Sequence, residues 1–270
     1  MRIDLHSHST ASDGTDSPAE LVTKGVAAGL DVLGITDHDT FGGWDEATAA
    51  AAATRVELIR GVEISCRLGA HGVHLLAFEP DRDDAALGAA LERIRAGRAG
   101  RVPAMVEALR PYGIELDVTQ IVGGESPGRP HVADALVAGG YAADRQDAFA
   151  RWLEPGKPGY VTRYAPEPAE VIRLVRAAGG VPVLAHPRGR DSAPAVSDQV
   201  IADLAEAGLA GVEVDHHDHP PRVREGLRAL AGRLGLVVTG SSDYHGTGKV
   251  DHELGSERTD LAQFRRLFER

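Results

Sequence analysis

The sequence predicts an α/β barrel of seven strands, distorted or incomplete, interrupted by one small and mostly helical insertion. Three observations carry this. Seven short β-branched or apolar segments alternate with amphipathic helical stretches along most of the 270 residues, a rhythm that favours a parallel sheet wrapped by helices. Histidines and carboxylates gather at or just beyond the ends of those segments, and the C-terminal rim is where parallel barrels build their sites. The rhythm breaks once, between about Arg98 and Tyr160.

The first strand segment, Arg2–His6, runs into His6-Ser7-His8, with Asp13 in the loop that follows. A helix opens at Ser17-Pro18-Ala19-Glu20, a capping box with proline in the first turn, and ends near Gly29. The second strand, Val32–Thr36, meets Asp37-His38-Asp39 and is followed by a helix over Asp45–Arg55. Glu63 closes the third strand, Glu57–Ile64, and the fourth, Val73–Phe78, carries His74 before a helix over Asp84–Gly97. After the break, helices Pro168–Ala178, Ser197–Ala207, Pro221–Leu234 and Thr259–Glu269 alternate with strands Val181–Ala185, Gly211–Val214 and Leu236–Gly240. These three strands lead into His186-Pro187, Asp215-His216-His217, and Asp243 with His245. The broken region holds two turn-rich stretches, Gly123–Pro130 and Glu154–Gly159, and no convincing strand. Residues 99–159 are therefore expected to form a helical insertion capping the mouth of a barrel made from 1–98 and 160–270.

A formal net charge of −11 argues against a broad nucleic-acid surface and against duplex DNA as a partner. It leaves room for an anionic substrate, because bound divalent metals can reverse the local field. Cys66 is the single cysteine, which rules out an internal disulfide framework and a thiolate zinc cage. No apolar run approaches the roughly 20 residues of a membrane helix, and the charged, histidine-bearing start reads as no cleaved signal. The expectation is a soluble, cytoplasmic protein. Its 12 histidines exceed the 5 Phe plus 5 Tyr, and many lie beside Asp or Glu, the ligand set of transition metals.

His6 and His8 are chemically specific, since residues i and i+2 of a strand project to one face and can grip one ion. Glu63, between them and the later histidines, is a candidate bridging carboxylate; the alternative is a buried pair with an arginine such as Arg60. The opening histidines, with a carboxylate on the last strand, fit metal-dependent hydrolysis of either C–N or P–O bonds.

The set His6-Ser7-His8, Asp13-Gly14, Thr36-Asp37-His38-Asp39, Gly61-Val62-Glu63-Ile64-Ser65, His74-Leu75-Leu76, Ala185-His186-Pro187 and Ser242-Asp243-Tyr244-His245-Gly246 resembles the PHP (polymerase and histidinol phosphatase) superfamily. The resemblance implies a distorted (β/α)7 barrel with two or three divalent ions, Mn, Fe or Zn. Carried over by motif, one ion takes His6, His8, Glu63 and Asp243, a second Glu63, His74 and His186, and a third Asp13, His38 and His245. Gly128-Arg129-Pro130-His131 and Lys157-Pro158-Gly159-Tyr160-Val161 resemble one branch in particular. That branch includes AMP and nucleoside 3′,5′-bisphosphate phosphatases and a 5′→3′ exoribonuclease of short RNAs. The expected partner is thus a small phosphorylated substrate, a nucleotide or a short oligonucleotide. The expected chemistry is in-line attack by a metal-bridging hydroxide held near Glu63 and Asp243.

Other roles follow from chemistry. Arg129 is a candidate fork on phosphoryl oxygens, or else a surface ion pair. His131 and His217 are candidate general acids, with His131 otherwise an ordinary helix-start residue. Lys157 contacts phosphate or lies in an exposed loop. Asp37 and Asp39 are candidate partners orienting His38; Trp44 and Phe41 are expected in the core; His71, His216, His219 and His252 are expected not to be ligands. A histidinol-phosphate-type phosphatase and an amidohydrolase-like C–N hydrolase remain alternatives. The second is disfavoured because no strand segment carries the lysine that often bridges its metals. A non-enzymatic metal-binding domain predicts lost ligands, and none is missing.

Overall fold

The computed structural model describes residues 1–121, 128–189, 192–193 and 195–269. Part of the turn-rich stretch expected over Gly123–Pro130 therefore lies outside the described residues.

Seven strands form one sheet in chain order: β1 (Ile3–Asp4), β2 (Val32–Ile35), β3 (Glu57–Leu68), β4 (His71–Phe78), β5 (Val181–Ala185), β6 (Gly211–Asp215) and β7 (Val237–Gly240). The sheet curls until its two edges meet at a single parallel bridge, Ser7 with Tyr244, so the barrel is nearly closed. The expectation of an all-parallel sheet needs correction at one strand. β4 runs antiparallel to both β3 and β5, forming a hairpin with β3 through Gly69, whose φ of 58° suits glycine. Reversal brings the beginning of β4 to the rim where its neighbours end, with His74 opposite Ser65 on one side and Ala185 on the other.

Helices α1 (Pro18–Ala27), α2 (Trp44–Ala51), α3 (Ala85–Leu109), α4 (Arg129–Ala138), α5 (Arg145–Ala148), α6 (Pro168–Ala177), α7 (Asp198–Glu206), α8 (Pro221–Leu234) and α9 (Leu261–Phe268) complete the fold. The capping box of α1 forms as expected, Ser17 accepting from the Glu20 N–H and Glu20 from the Ser17 N–H. The largest apolar cluster joins β3 to β6 with α3, α6, α7 and α8, through residues such as Ile64, Leu91, Ile172, Leu184, Ile201 and Leu227. Ile3, Leu5, Val32, Phe78 and Val183 form a second cluster with Phe264 and Leu267 of α9. At one point the strands leave no room for a side chain: a Cβ on Gly34 would stand 2.3 Å from the Leu5 carbonyl oxygen. Trp44 lies in the core, its indole N–H donating to the Gly61 carbonyl at 2.8 Å.

Helix α3 runs past the expected end at Gly97 to Leu109, through Pro103. The expected boundary at residue 98 thus falls inside a continuous helix. Among the described residues, 99–159 contain no strand. A separate apolar cluster of Val102, Met105, Leu109, Val132, Leu136 and Leu153 has its buried members in that region, with Val161 packed against it. No described helix is long and apolar enough to cross a membrane.

Candidate metal centre

At the rim, β1 delivers His6 and His8 to one side of an extended chain, their Nε2 atoms 3.0 Å apart and both rings fully buried. The His8 N–H donates to the Tyr244 carbonyl at 2.9 Å, which pins the end of β1 to the segment bearing Asp243 and His245. Glu63 enters from β3. Its Oε1 lies 2.8 Å from His74 Nδ1 and 3.0 Å from His186 Nε2. Its Oε2 lies 3.3, 3.2 and 3.1 Å from His6 Nε2, His8 Nε2 and His38 Nδ1. One carboxylate therefore divides two groups of imidazoles between its two oxygens. Arg60 pairs instead with Glu79, at 2.6 Å. Asp243 Oδ1 lies 3.4 Å from His6 Nε2 and 3.5 Å from His8 Nε2. Asp13 reaches His245 Nε2 at 3.2 Å, His8 Nδ1 at 3.7 Å and His38 Nε2 at 3.8 Å. All the residues expected as metal ligands thus fall in one connected cluster.

These residues fit divalent ions. Buried polar atoms normally have hydrogen-bond partners, yet Asp13 Oδ1 and His38 Nδ1, though 3.2 Å from His245 Nε2 and 3.1 Å from Glu63 Oε2, make no hydrogen bond. Two imidazole nitrogens at 3.0 Å repel unless a proton or a cation lies between them. Ligand atoms of His6, His8, Glu63 and Asp243 lie within 4.8 Å of one another, as do those of His8, Asp13, His38 and His245, and those of His38, Glu63 and His74. His186 and Asp243 hold φ values of 24° and 54°, conformations that non-glycine residues keep only where their surroundings impose them.

The charges are divided in a way that suits ligation. Burial opposes ionisation of Glu63, but His38, His74 and His6 outweigh it and hold the carboxyl well below its ordinary range. Asp243 is also held well below its ordinary range, against burial, by Lys249 and His6. Burial and the neighbouring His8 push His245 down to about 4, leaving a neutral ring ready to donate a lone pair. His8 goes the other way: burial opposes its charge, but its bonds to Asp243 and Glu63 raise it to about 9. A metal at His8 must displace that proton. Metal binding is therefore expected to release protons at pH 7 and to tighten as pH rises toward 9; calorimetry in buffers of different ionisation heat measures this, and equal heats would contradict it.

Three neighbours were not expected from the sequence. Glu213 of β6 accepts from the His6 Nδ1–H at 3.1 Å on an oxygen that also accepts from the Ser241 hydroxyl at 2.8 Å, while its other oxygen accepts from the His186 N–H at 2.8 Å. It fixes the tautomer that turns His6 Nε2 toward the cluster. Burial works against its charge, yet His6 holds it at about 2. The sequence signal was a lone carboxylate inside the apolar run Val212-Glu213-Val214, since a buried charge requires a partner. Glu213→Gln should weaken metal affinity by about 10- to 100-fold with the fold intact; unchanged affinity in a metal titration would refute the role. His216, expected not to be a ligand, is fully buried with its Nδ1 accepting the Asp218 N–H at 3.1 Å, so its Nε2–H donates to Asp243 Oδ2 at 3.2 Å. Lys249 also contacts Asp243 Oδ2.

The cluster floors a cavity of about 250 Å³ whose walls include Arg67, Arg101, Arg129, Arg163 and Lys249. The guanidinium of Arg163 is pushed down to about 9 by burial and by Arg98, Arg101 and Arg129, with Asp39 acting the other way. Arg129 reaches the cavity with its guanidinium 5.4 Å from the Phe149 ring centre. His131 does not line it; its Nδ1 accepts the Gly128 N–H at 3.0 Å. His217 is exposed and packs against His252, ring centres 4.7 Å apart. Lys157 sits on an exposed turn away from the cavity. Asp37 organises the loop after β1, accepting from the Ser9 N–H and the Ser9 and Ser12 hydroxyls, and Asp39 ties Ser65 of β3 to Arg98 of α3.

A PHP domain model matches residues 4–121. A 3′,5′-nucleoside bisphosphate phosphatase of Chromobacterium violaceum is 35% identical over 264 residues, covering 94% of this chain and 90% of that protein. A 5′-3′ exoribonuclease of Haemophilus influenzae is 33% identical, with 90% of each chain covered. A crystal structure from Bifidobacterium adolescentis, provisionally described as a metal-dependent phosphoesterase, superposes with a TM-score of 0.92 at 37% identity, covering 98% of this chain and 94% of that one. With a PHP domain model matched at its N-terminal part and relatives above 30% identity matched along nearly their whole length, the chain belongs to the PHP family.

Proposed function

We propose that this protein is a metal-dependent phosphoesterase that hydrolyses phosphomonoesters of nucleotides, with AMP, nucleoside 3′,5′-bisphosphates and short 5′-phosphorylated RNA as the candidate substrates. The observation that carries the reading is the placing of Glu63, divided between two groups of imidazoles at the floor of a cavity walled by arginines. Bound divalent ions supply an activated water and Lewis-acid stabilisation of the phosphoryl group. We assign one ion to His6, His8, Glu63 and Asp243, a second to Glu63, His74 and His186, and a third to Asp13, His38 and His245, with Mn, Fe or Zn suited to these donors.

Around them the chain's own residues bind and orient. Arg129 holds non-bridging oxygens from the wall. Of the two expected proton donors, His131 lies outside the cavity lining with its ring bonded to the Gly128 N–H and the Ser12 backbone, and His217 is exposed, so neither is assigned the proton of the leaving alkoxide. Lys157, on an exposed turn outside the cavity lining, is not assigned a phosphate contact. Residues 99–159 act as a helical insertion over a barrel of 1–98 and 160–270, a division supported by their separate apolar cluster and by the part Arg101, Arg129, Phe149 and Glu154 take in the cavity.

The test is phosphate release by the Mn²⁺-loaded protein from AMP, 3′-phosphoadenosine 5′-phosphate, histidinol phosphate and a short 5′-phosphorylated RNA. Turnover ranked in favour of the nucleotides is expected. Preference for histidinol phosphate would move the reading to the other phosphatase branch, and no turnover with metal bound would overturn it.

A further inference from the structure

The loop after β7 carries a cation that neither the expected ligand set nor the expected substrate contacts include. Lys249 lines the cavity among Asp13, Glu63, His186 and Asp243, its side chain 25% exposed and its ammonium in contact with Asp243 Oδ2. An ammonium has no lone pair, so it cannot join the ligands; it can only share their anions. With divalent ions on the same carboxylate, a third cation at that spot is electrostatically costly unless a further anion arrives. A phosphoryl group entering the cavity brings that anion.

The position of Lys249 is set from a distance. The preceding residue, Gly248, gives its carbonyl to Arg145 Nη1 at 3.0 Å. Arg145 is itself held as a fork by Asp134 of α4, at 2.5 and 2.6 Å. The fit is close: a Cβ on Gly248 would stand 2.2 Å from that Nη1. On the other side, the Thr247 N–H is held by the Thr15 hydroxyl at 2.9 Å and the Gly248 N–H by the His245 carbonyl at 3.2 Å. The chain is thus fixed from both flanks up to Gly248, and Lys249 reaches inward from there.

We propose that Lys249 is a substrate-contacting residue that places its ammonium on a non-bridging phosphoryl oxygen, and that Arg145 is the positioning residue that sets it there through the Gly248 carbonyl. The inference rests on the phosphoesterase reading. Arg145 carries it a step further, because it makes the segment before residue 160 a determinant of the geometry on the opposite side of the site.

The experiment compares wild type with Lys249→Met, Lys249→Arg, Arg145→Met and the Lys249→Met/Arg145→Met double variant. Steady-state kinetics on AMP with Mn²⁺, binding of inorganic phosphate by calorimetry, and Mn²⁺ content are measured for each. Loss of one charge-assisted hydrogen bond predicts that Lys249→Met lowers kcat/KM and phosphate affinity by about 10- to 100-fold with Mn²⁺ content unchanged. Lys249→Arg should restore part of the phosphate affinity. Arg145→Met should cost about threefold to tenfold, and the double variant should be no worse than Lys249→Met, because Arg145 acts through it. Wild-type phosphate affinity in Lys249→Met would overturn the contact, as would loss of Mn²⁺, which would make Lys249 a support for Asp243. Additive effects in the double variant would overturn the role of Arg145. If the wild type turns over none of the esters, the phosphoesterase reading fails, while phosphate binding still decides the case for Lys249.

Discussion

Replacing Glu63 by Gln is expected to reduce metal-dependent turnover by about a hundredfold to a thousandfold, the scale seen when a preorganised electrostatic group is lost from a catalytic site. The change keeps the size of the side chain and removes one negative charge from a carboxylate that is 1% exposed and faces five imidazole rings. An amide also presents its NH2 to one of the two groups of ring nitrogens, where a lone-pair donor is needed for a cation. Metal content should fall with activity, which distinguishes this outcome from simple misplacement of substrate. The metal-free variant should be no less stable than metal-free wild type, since a carboxylate fully buried among histidines is costly to desolvate. Activity within tenfold of wild type, with metal content retained, would contradict the cluster described above.

The second large effect is on folding. Asp39→Ala is expected to destabilise the metal-free protein by about 3–5 kcal/mol, the range for breaking a buried ion pair by removing one partner. Asp39 is fully buried and accepts from the Ser65 N–H at 2.6 Å, the Ser65 hydroxyl at 2.8 Å and Arg98 Nε at 2.6 Å. Its own carbonyl accepts from Arg95 Nη1 at 2.8 Å. Removing the carboxylate leaves Arg98, 6% exposed, without its counter-charge and close to the guanidinium of Arg163. Burial opposes the charge of Asp39, but Arg98 and Arg163 hold its carboxyl below the ordinary value. The sign follows: its contribution is present above the unfolded pKa of about 3.9 and fades as pH falls through the lower folded value. Urea denaturation at pH 7 measures the difference, and a loss under about 1 kcal/mol would remove Asp39 from the residues that matter for stability.

Much of this was legible because polar residues in a barrel of buried strands have few reasons to be at a strand end. His6, Asp37, Glu63, His186 and Asp243 interrupt apolar runs at the same point in successive segments, and the structure brings them to one rim. The direction of β4 was not legible, since an apolar run reads the same in both senses; His74 fitted the rim only once the strand was seen to run backwards. The extension of α3 to Leu109 was hidden by Pro103 and by the glycines at 97 and 100, which read as an end to the helix. Glu213, His216 and Lys249 were hidden for a different reason. Each contacts an expected ligand, and Glu213 and His216 also stand in groups able to hold an ion (His6, His186 and Glu213; His216, Asp243 and His252), but spacing along the chain does not reveal a contact made across it. The case of Asp37 and Asp39 is the converse: they stand beside His38 in sequence, yet their carboxylates bond the loop after β1 and the β3–α3 junction.

The edge between the first and last strands has a mechanical consequence. Backbone pairing across it amounts to one bridge, Ser7 with Tyr244, aided by Asp4, whose carboxylate accepts from the Ser242 N–H and hydroxyl at 3.1 and 2.6 Å. His6 and His8 stand on one side of that edge, Asp243 and His245 on the other, so an ion held by both sides is a clasp joining two ends of the chain more than 230 residues apart. Closing so long a loop gains more from a cross-link than closing a short one. On the ligand assignment proposed above, coordination would complete the barrel's circumference alongside the hydrogen bonds, and chelation is expected to unbutton it.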